Sequence, residues 1–116
     1  MVFDKTVDFQ ISDKTIKLCY PLKCVWEAER QLSEKNFLLL ISKAVNEVPP
    51  GMGDIYVIFK YALLGGNPGM TEEQADELYL KALEERPMID LFRAALQALE
   101  KSGILGKRKK EQAAEA

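Results

Sequence analysis

Apolar and polar residues alternate in two short stretches near the start of the chain, at positions 7–11 and 16–20. A polar segment, residues 12–14, separates them. A period of two places every second side chain on the same face of a strand, and a polar turn between two such stretches is typical of a β-hairpin. The pattern therefore predicts an N-terminal two-stranded hairpin, followed at Pro21 by the first turn of a helix.

Beyond Pro21 the apolar residues recur every three or four positions, which is the spacing of an amphipathic helix. The stripe of the first helix consists of Leu22, Val25, Trp26 and Leu32. We therefore expect Trp26 to pack in the core. Ser33 is positioned to cap a second helix, which ends at the breakers 49–51. The wide apolar face of that helix consists of Phe37, Leu38, Ile41, Ala44, Val45 and Val48.

Asp54 is positioned to cap a third helix, and Gly65 suits the left-handed position just after its end. The breaker-rich segment 65–69 has no use inside a helix or strand, so it predicts a tight connection. Thr71 and Gln74 then form a capping box, in which each side chain accepts from the backbone N–H of the other residue.

Two further helices follow the capping box. The cleanest stripe of the chain consists of Ala75, Leu78, Tyr79, Ala82 and Leu83. Pro87 breaks this helix, and the last helix ends at Gly103. The predicted fold class is α+β, mostly α, with an N-terminal β-hairpin followed by about five helices. We expect residues 1–103 to form a single globular domain and residues 104–116 to form a flexible charged tail.

Composition narrows the class of protein. No apolar run approaches the roughly 20 residues that a membrane span requires, and residues 1–12 lack the apolar segment of a signal peptide. We therefore expect no membrane partner, and we expect Cys19 and Cys24 to be reduced. Charge is unevenly distributed: residues 71–100 carry eight acidic and three basic groups, and a basic run follows near the C-terminus.

The chain contains no histidine, which excludes a Ser/His/Asp triad, a Cys/His pair and the commonest metal ligand. Adjacent carboxylates such as Glu72 and Glu73 diverge on a helix, and there they favour the positive end of the helix dipole. The glycine-rich segment 65–69 lacks the Gly-Lys-Ser/Thr of a phosphate-binding loop. We therefore expect neither an enzyme nor a bound cofactor or metal.

Candidate partner-binding residues come from two places. Tyr56 and Tyr61 flank the stripe of the third helix, where we expect them at the rim of the core and available to an interface. The basic residues Lys107, Arg108, Lys109 and Lys110 form an electrostatic handle for an acidic surface.

The order of these elements resembles the tail assembly chaperones of long-tailed phages and prophages. The resemblance rests on the hairpin that leads through Tyr20-Pro21-Leu22 into a Trp-bearing helix, on the helix end at residues 60–66, and on the Met-Thr-Glu-Glu helix start at residues 70–73. It covers roughly residues 7–103. Within residues 33–53, the long apolar second helix and the segment Pro49-Pro50-Gly51 do not map onto the family pattern.

The resemblance implies a protein that binds the tape-measure protein and recruits the major tail protein in the host cytoplasm, and that is absent from the finished virion. It also implies that this chain is the short form of a pair whose longer form arises by translational frameshift. Self-association is a further expectation, because the apolar faces of residues 37–48 and 55–64 are broad.

Two alternatives remain open at this level. The first is a small nucleic-acid-binding or regulatory module that uses the basic tail, although no interleaved aromatic residues support base stacking there. The second is an accessory subunit of a larger enzyme.

Overall fold

A computed structural model describes residues 5–104, in which an antiparallel hairpin precedes five helices. The elements are β1 (Val7–Ile11), β2 (Lys14–Leu18), α1 (Leu22–Gln31), α2 (Phe37–Val45), α3 (Met52–Gly66), α4 (Glu72–Glu85) and α5 (Met88–Ser102). The prediction of a mostly helical α+β fold is confirmed. None of the described helices is long and apolar enough to cross a membrane.

The hairpin covers one side of the helical core. Val7 pairs with Leu18 and Ile11 with Lys14, so the buried residues of β1 point to one face. Phe9 on that face meets the ring of Phe59 edge-to-face at 5.2 Å. The alternation seen in the sequence thus places the hairpin against α3.

Helix α3 lies at the centre of the fold. Ile55 and all residues from 57 to 63 are buried, and α3 packs against α1, α4, α5 and β2. A helix that is apolar around most of its circumference needs such neighbours on every side. The rim position predicted for Tyr61 is therefore wrong, since only 5% of its surface is exposed.

The double glycine belongs to α3 itself, not to the connection after it. A Cβ atom on Gly65 would lie 2.2 Å from the carbonyl oxygen of Cys19, and one on Gly66 would lie 2.3 Å from that of Lys17. The side-chain amide of Asn67 donates to the same Lys17 carbonyl oxygen at 2.8 Å. The predicted left-handed position at Gly65 is wrong, because these glycines serve close approach to the hairpin backbone.

Two of the predicted helix caps are also wrong. Asn36, not Ser33, caps α2, and its side chain accepts from the N–H of Leu39. Asp54 lies in the first turn of α3, and the residue before that helix is Gly51. The two mistaken residues meet each other instead, since the backbone and hydroxyl of Ser33 both donate to the Asp54 carboxylate.

Two other helix ends follow the sequence pattern, but the end predicted for the second helix at 49–51 is wrong, since α2 ends at Val45 and Val48 lies outside it. Both hydrogen bonds of the Thr71–Gln74 capping box are formed. Gly103 takes the left-handed conformation after α5, with φ of 80°. Both predictions are confirmed because each depends only on residues that are close along the chain.

The apolar stripe predicted for α1 is only partly correct. Trp26 is 58% exposed and Leu22 is 49% exposed. Val25 and Leu32 of the predicted stripe do pack in the core, together with Cys24 and Ala28, and α1 lies against α3. A face of small residues allows the two helices to approach closely, so the core position predicted for Trp26 is wrong.

Candidate binding groove between α2 and α5

An apolar groove of about 440 Å³ lies between α2 and α5 and opens to solvent. Its apolar lining consists of Ile41, Ala44, Val45, Ile89, Phe92 and Leu96. Pockets of this size and character are typical of ligand and partner sites. The groove is therefore the candidate functional site of the described residues.

One wall of the groove is a continuous face of α5. Ile89, Phe92, Arg93, Leu96 and Glu100 line it at helical spacing. At 1.5 Å per residue, the distance from the first to the last of these positions is about 16 Å, or three turns of helix. Buried alanines on the opposite side, Ala94, Ala95 and Ala98, hold α5 in the fold.

The other wall is α2, which carries more apolar surface than the fold covers. Phe37, Leu40 and Ile41 are buried, but Leu38 is 67% exposed and Val45 is 58% exposed. The backbone of α2 also stands farther from its neighbours than those of the other described helices do. The expectation of excess apolar surface is confirmed for α2, whereas α3 is covered by its neighbours.

Polar contacts from both ends of α2 connect it to α1 and to the loop before it. The carboxylate of Glu29 on α1 accepts from the N–H of Phe37 at 2.9 Å. Lys43 forms an ion pair with Glu34 at 3.0 Å. These contacts join α2 to α1 and to the preceding loop, and the Ser33–Asp54 pair joins that loop to α3.

The C-terminal end of α2 closes in a Schellman motif. The N–H of Val48 donates to the carbonyl of Lys43 at 2.8 Å, and the N–H of Glu47 donates to that of Ala44 at 3.0 Å. Glu47 takes the left-handed conformation that this motif requires, with φ of 64°. Glu47 lines the groove, as does Pro49.

Charged side chains line the groove beside its apolar residues. Glu47, Arg93 and Glu100 are all exposed, and their side chains form no hydrogen bond or ion pair with residues 5–104. Two carboxylates against one guanidinium give the lining a net negative charge. A bound group with an apolar surface and a basic edge would complement it.

Tyr56 belongs to a polar cluster between α3 and α4, away from the groove. It is half-buried, and its hydroxyl donates to Asp76 and accepts from Lys60. The hydrogen bond to Asp76, followed by burial, raises the pKa of Tyr56. These contacts join the two helices, so the hydroxyl has partners within the chain.

Lys60 is the buried cation of this cluster. Its ammonium lies 2.8 Å from a carboxylate oxygen of Glu72. Burial acts to lower the pKa of Lys60, but the hydrogen bonds to Glu72 and Tyr56 outweigh it and raise the pKa above its ordinary value. The amine therefore stays protonated at neutral pH, which suits an ion pair and not a nucleophile or a base.

Tyr61 is enclosed on the opposite side of α3. Its hydroxyl accepts from the side chain of Gln31 on α1 at 2.9 Å. Burial, together with the charge of Glu72, raises the pKa of Tyr61. The structure does not bring Tyr61 into the groove or onto the surface.

The other predicted contact residues, Lys107, Arg108, Lys109 and Lys110, lie outside the described residues. The tail predicted for residues 104–116 does so too, apart from Ile104. The described residues instead point to the groove, which the sequence interpretation did not name. The sequence did contain a signal for it. Residues 37–41 are apolar around the whole circumference of a helix, and packing against one side of the fold cannot bury all of them.

Comparison of the chain with protein-family models, with curated proteins and with solved structures found no match.

Proposed function

We propose that this chain is a helix-binding assembly chaperone, which covers the apolar stripe of a partner helix in the groove between α2 and α5. The observation that carries the proposal is the open apolar groove, whose α2 wall is exposed well beyond the lining itself. Contiguous exposed apolar surface on a small protein marks interaction sites.

The shape of the groove favours a helix as the occupant. The α5 wall extends for about three helical turns, and α2 contributes Ile41, Ala44 and Val45 on the other side. An amphipathic helix presents apolar side chains at i, i+3, i+4 and i+7 to a groove of this kind. Binding would give Val45 on α2 and Ile89 on α5, which line the groove and which the fold leaves exposed, an apolar partner.

The partner follows from the resemblance to tail assembly chaperones. A tape-measure protein is a long helical polypeptide, and its apolar stripes need cover before assembly. The proposed role is to keep this protein soluble in the host cytoplasm and to recruit the major tail protein, with the chaperone absent from the finished virion. The acidic residues of α4 would keep the complex soluble.

Co-expression with a fragment of the tape-measure protein tests the proposal. We expect the chain to raise the soluble fraction of the fragment and to purify with it. The double variant Val45→Gln/Ile89→Gln removes two exposed apolar side chains from the groove without changing charge. Leu80→Gln is the matched control, because Leu80 is 62% exposed on α4 and lies outside the groove.

Surface substitutions of this kind change stability by roughly 0.5 kcal/mol or less, so all variants should fold. The double variant should lose most of the solubilising effect and the Leu80 control should keep it. An unchanged soluble fraction with the unmodified chain would refute the proposed function. Equal effects of the two variants would refute the groove as its site.

A further inference from the structure

Glu47 occupies a backbone conformation that disfavours its own side chain. It is the left-handed residue of the Schellman motif after α2, with φ of 64°. Glycine is the usual residue at this position, because a Cβ atom crowds the following carbonyl group in the left-handed region. A glutamate here carries strain that a glycine would relieve.

Two other non-glycine residues among positions 5–104 share this conformation, and both have side-chain partners. The Ser12 hydroxyl donates to Glu85 at 2.6 Å, and the Lys35 ammonium donates to the carbonyl of Arg30 at 3.1 Å. Glu47 has no such partner within the described residues. Strained backbone conformations are concentrated at binding and catalytic sites.

Glu47 lines the groove. Glu47 and Glu100 together outnumber the single cation, Arg93, in its lining. None of the three is in an ion pair with another described residue, so their charges are available to an occupant. A lysine or arginine beside an apolar stripe would complement this arrangement.

We propose that Glu47 is a recognition residue of the groove, whose carboxylate selects a partner helix with a basic side chain next to its apolar stripe. The inference rests on the proposed function, since it assumes that the groove takes a helix. It adds the chemical class of that helix: amphipathic, with lysine or arginine on the flank.

Two synthetic helical peptides of about 14 residues test the inference. Both carry the same leucine stripe, and they differ only in flanking lysines or flanking glutamates. Their affinities for the full chain are measured by fluorescence anisotropy at low and high salt. The lysine peptide should bind more tightly than the glutamate peptide, and the difference should shrink as salt screens the charges.

Two variants separate recognition from structure. Glu47→Gln removes the charge, so it should weaken binding of the lysine peptide about two- to five-fold, as expected for an exposed ion pair. Because this variant keeps the strained backbone, thermal stability should not change. Glu47→Gly should weaken binding of that peptide by a similar factor. It should also raise the unfolding midpoint by about 2–5 °C, because glycine relieves the backbone strain. Glu77→Gln, on the exposed surface of α4, is the matched control and should change neither quantity.

The outcomes are distinct. If neither peptide binds, the proposed function and the inference fail together. If both peptides bind equally, or if Glu47→Gln has no more effect than Glu77→Gln, the groove remains a helix site and the inference alone fails. The remaining possible occupant of the groove is a second copy of the chain, which sedimentation of the chain alone would detect. A dimer that Val45→Gln/Ile89→Gln abolishes would assign the groove to this second copy and overturn the inference.

Discussion

The contact between the double glycine and the hairpin yields a sharp stability prediction. Replacing Gly66 with alanine places a Cβ atom 2.3 Å from the carbonyl oxygen and 2.7 Å from the carbonyl carbon of Lys17. Both are backbone atoms, so a side-chain rotation cannot relieve the overlap. The hairpin and the last turn of α3 must move apart by about 1 Å to restore ordinary van der Waals separation.

The magnitude follows from the two opposing effects of the added methyl group. Overpacking of this kind costs about 1–3 kcal/mol. The separation also weakens the hydrogen bonds from Asn67 to Lys17 and from Cys19 to Ala62, at about 1 kcal/mol each if they are lost. Alanine recovers at most about 1 kcal/mol through its higher helix propensity. We expect a net loss of about 2 kcal/mol in the free energy of unfolding.

Gly53 provides a control within the same helix. A Cβ atom on Gly53 would meet no atom within 4 Å, and its φ is not in the left-handed region. Gly53→Ala should therefore stabilise the chain by about 0.5–1 kcal/mol. Urea unfolding, followed by circular dichroism at 222 nm, measures both variants. If Gly66→Ala is as stable as the unmodified chain, or shifts in the same direction as Gly53→Ala, the close-approach explanation is refuted.

Three further predictions concern polar groups. Among the described residues, Tyr79 has the one buried side-chain oxygen without a hydrogen-bond partner. Tyr79→Phe should therefore raise the free energy of unfolding by about 1 kcal/mol in the same urea assay. A decrease in the free energy of unfolding would instead show that the hydroxyl has a partner. Hydrogen bonds from Ser12 lower the pKa of Glu85, so their stabilisation is present above the unfolded-state pKa and is lost as pH falls through the folded-state pKa. Glu85→Gln should thus reduce the thermal midpoint at pH 7 and match the unmodified chain in strong acid; a constant gap across pH would argue against this linkage. Lys60→Met should change the free energy of unfolding by less than about 1 kcal/mol, because Glu72 is 68% exposed and its carboxylate regains water. A decrease of more than about 3 kcal/mol would show that the Lys60–Glu72 ion pair is far more desolvated than this exposure indicates.

Local features were predictable from the sequence, and contacts between distant segments were not. The hairpin and the Thr71–Gln74 capping box depend on residues a few positions apart, so the local sequence pattern is enough to predict them. The role of Gly66 depends on Lys17, which belongs to a different element. A double glycine followed by Asn-Pro-Gly resembles a helix end whether or not a neighbouring backbone requires it.

The candidate site shows the same limit. Tyr56 and Tyr61 were favoured because aromatic residues are enriched at interfaces, but packing places one in a polar cluster and the other in the core. The groove arises where α2 stands off from α5, and this separation is a property of tertiary packing. The excess of apolar residues at positions 37–41 was visible beforehand, although the sequence could not show which of them remain uncovered.

The central claim is that an amphipathic helix binds between α2 and α5. Its most direct test is a ¹H–¹⁵N correlation spectrum of the labelled chain during titration with the tape-measure fragment, with the backbone amides assigned. A helix bound in the groove should concentrate the shift changes at residues 37–48 and 89–100. Changes centred on the exposed face of α1 around Trp26, or no changes at saturating fragment, would contradict it.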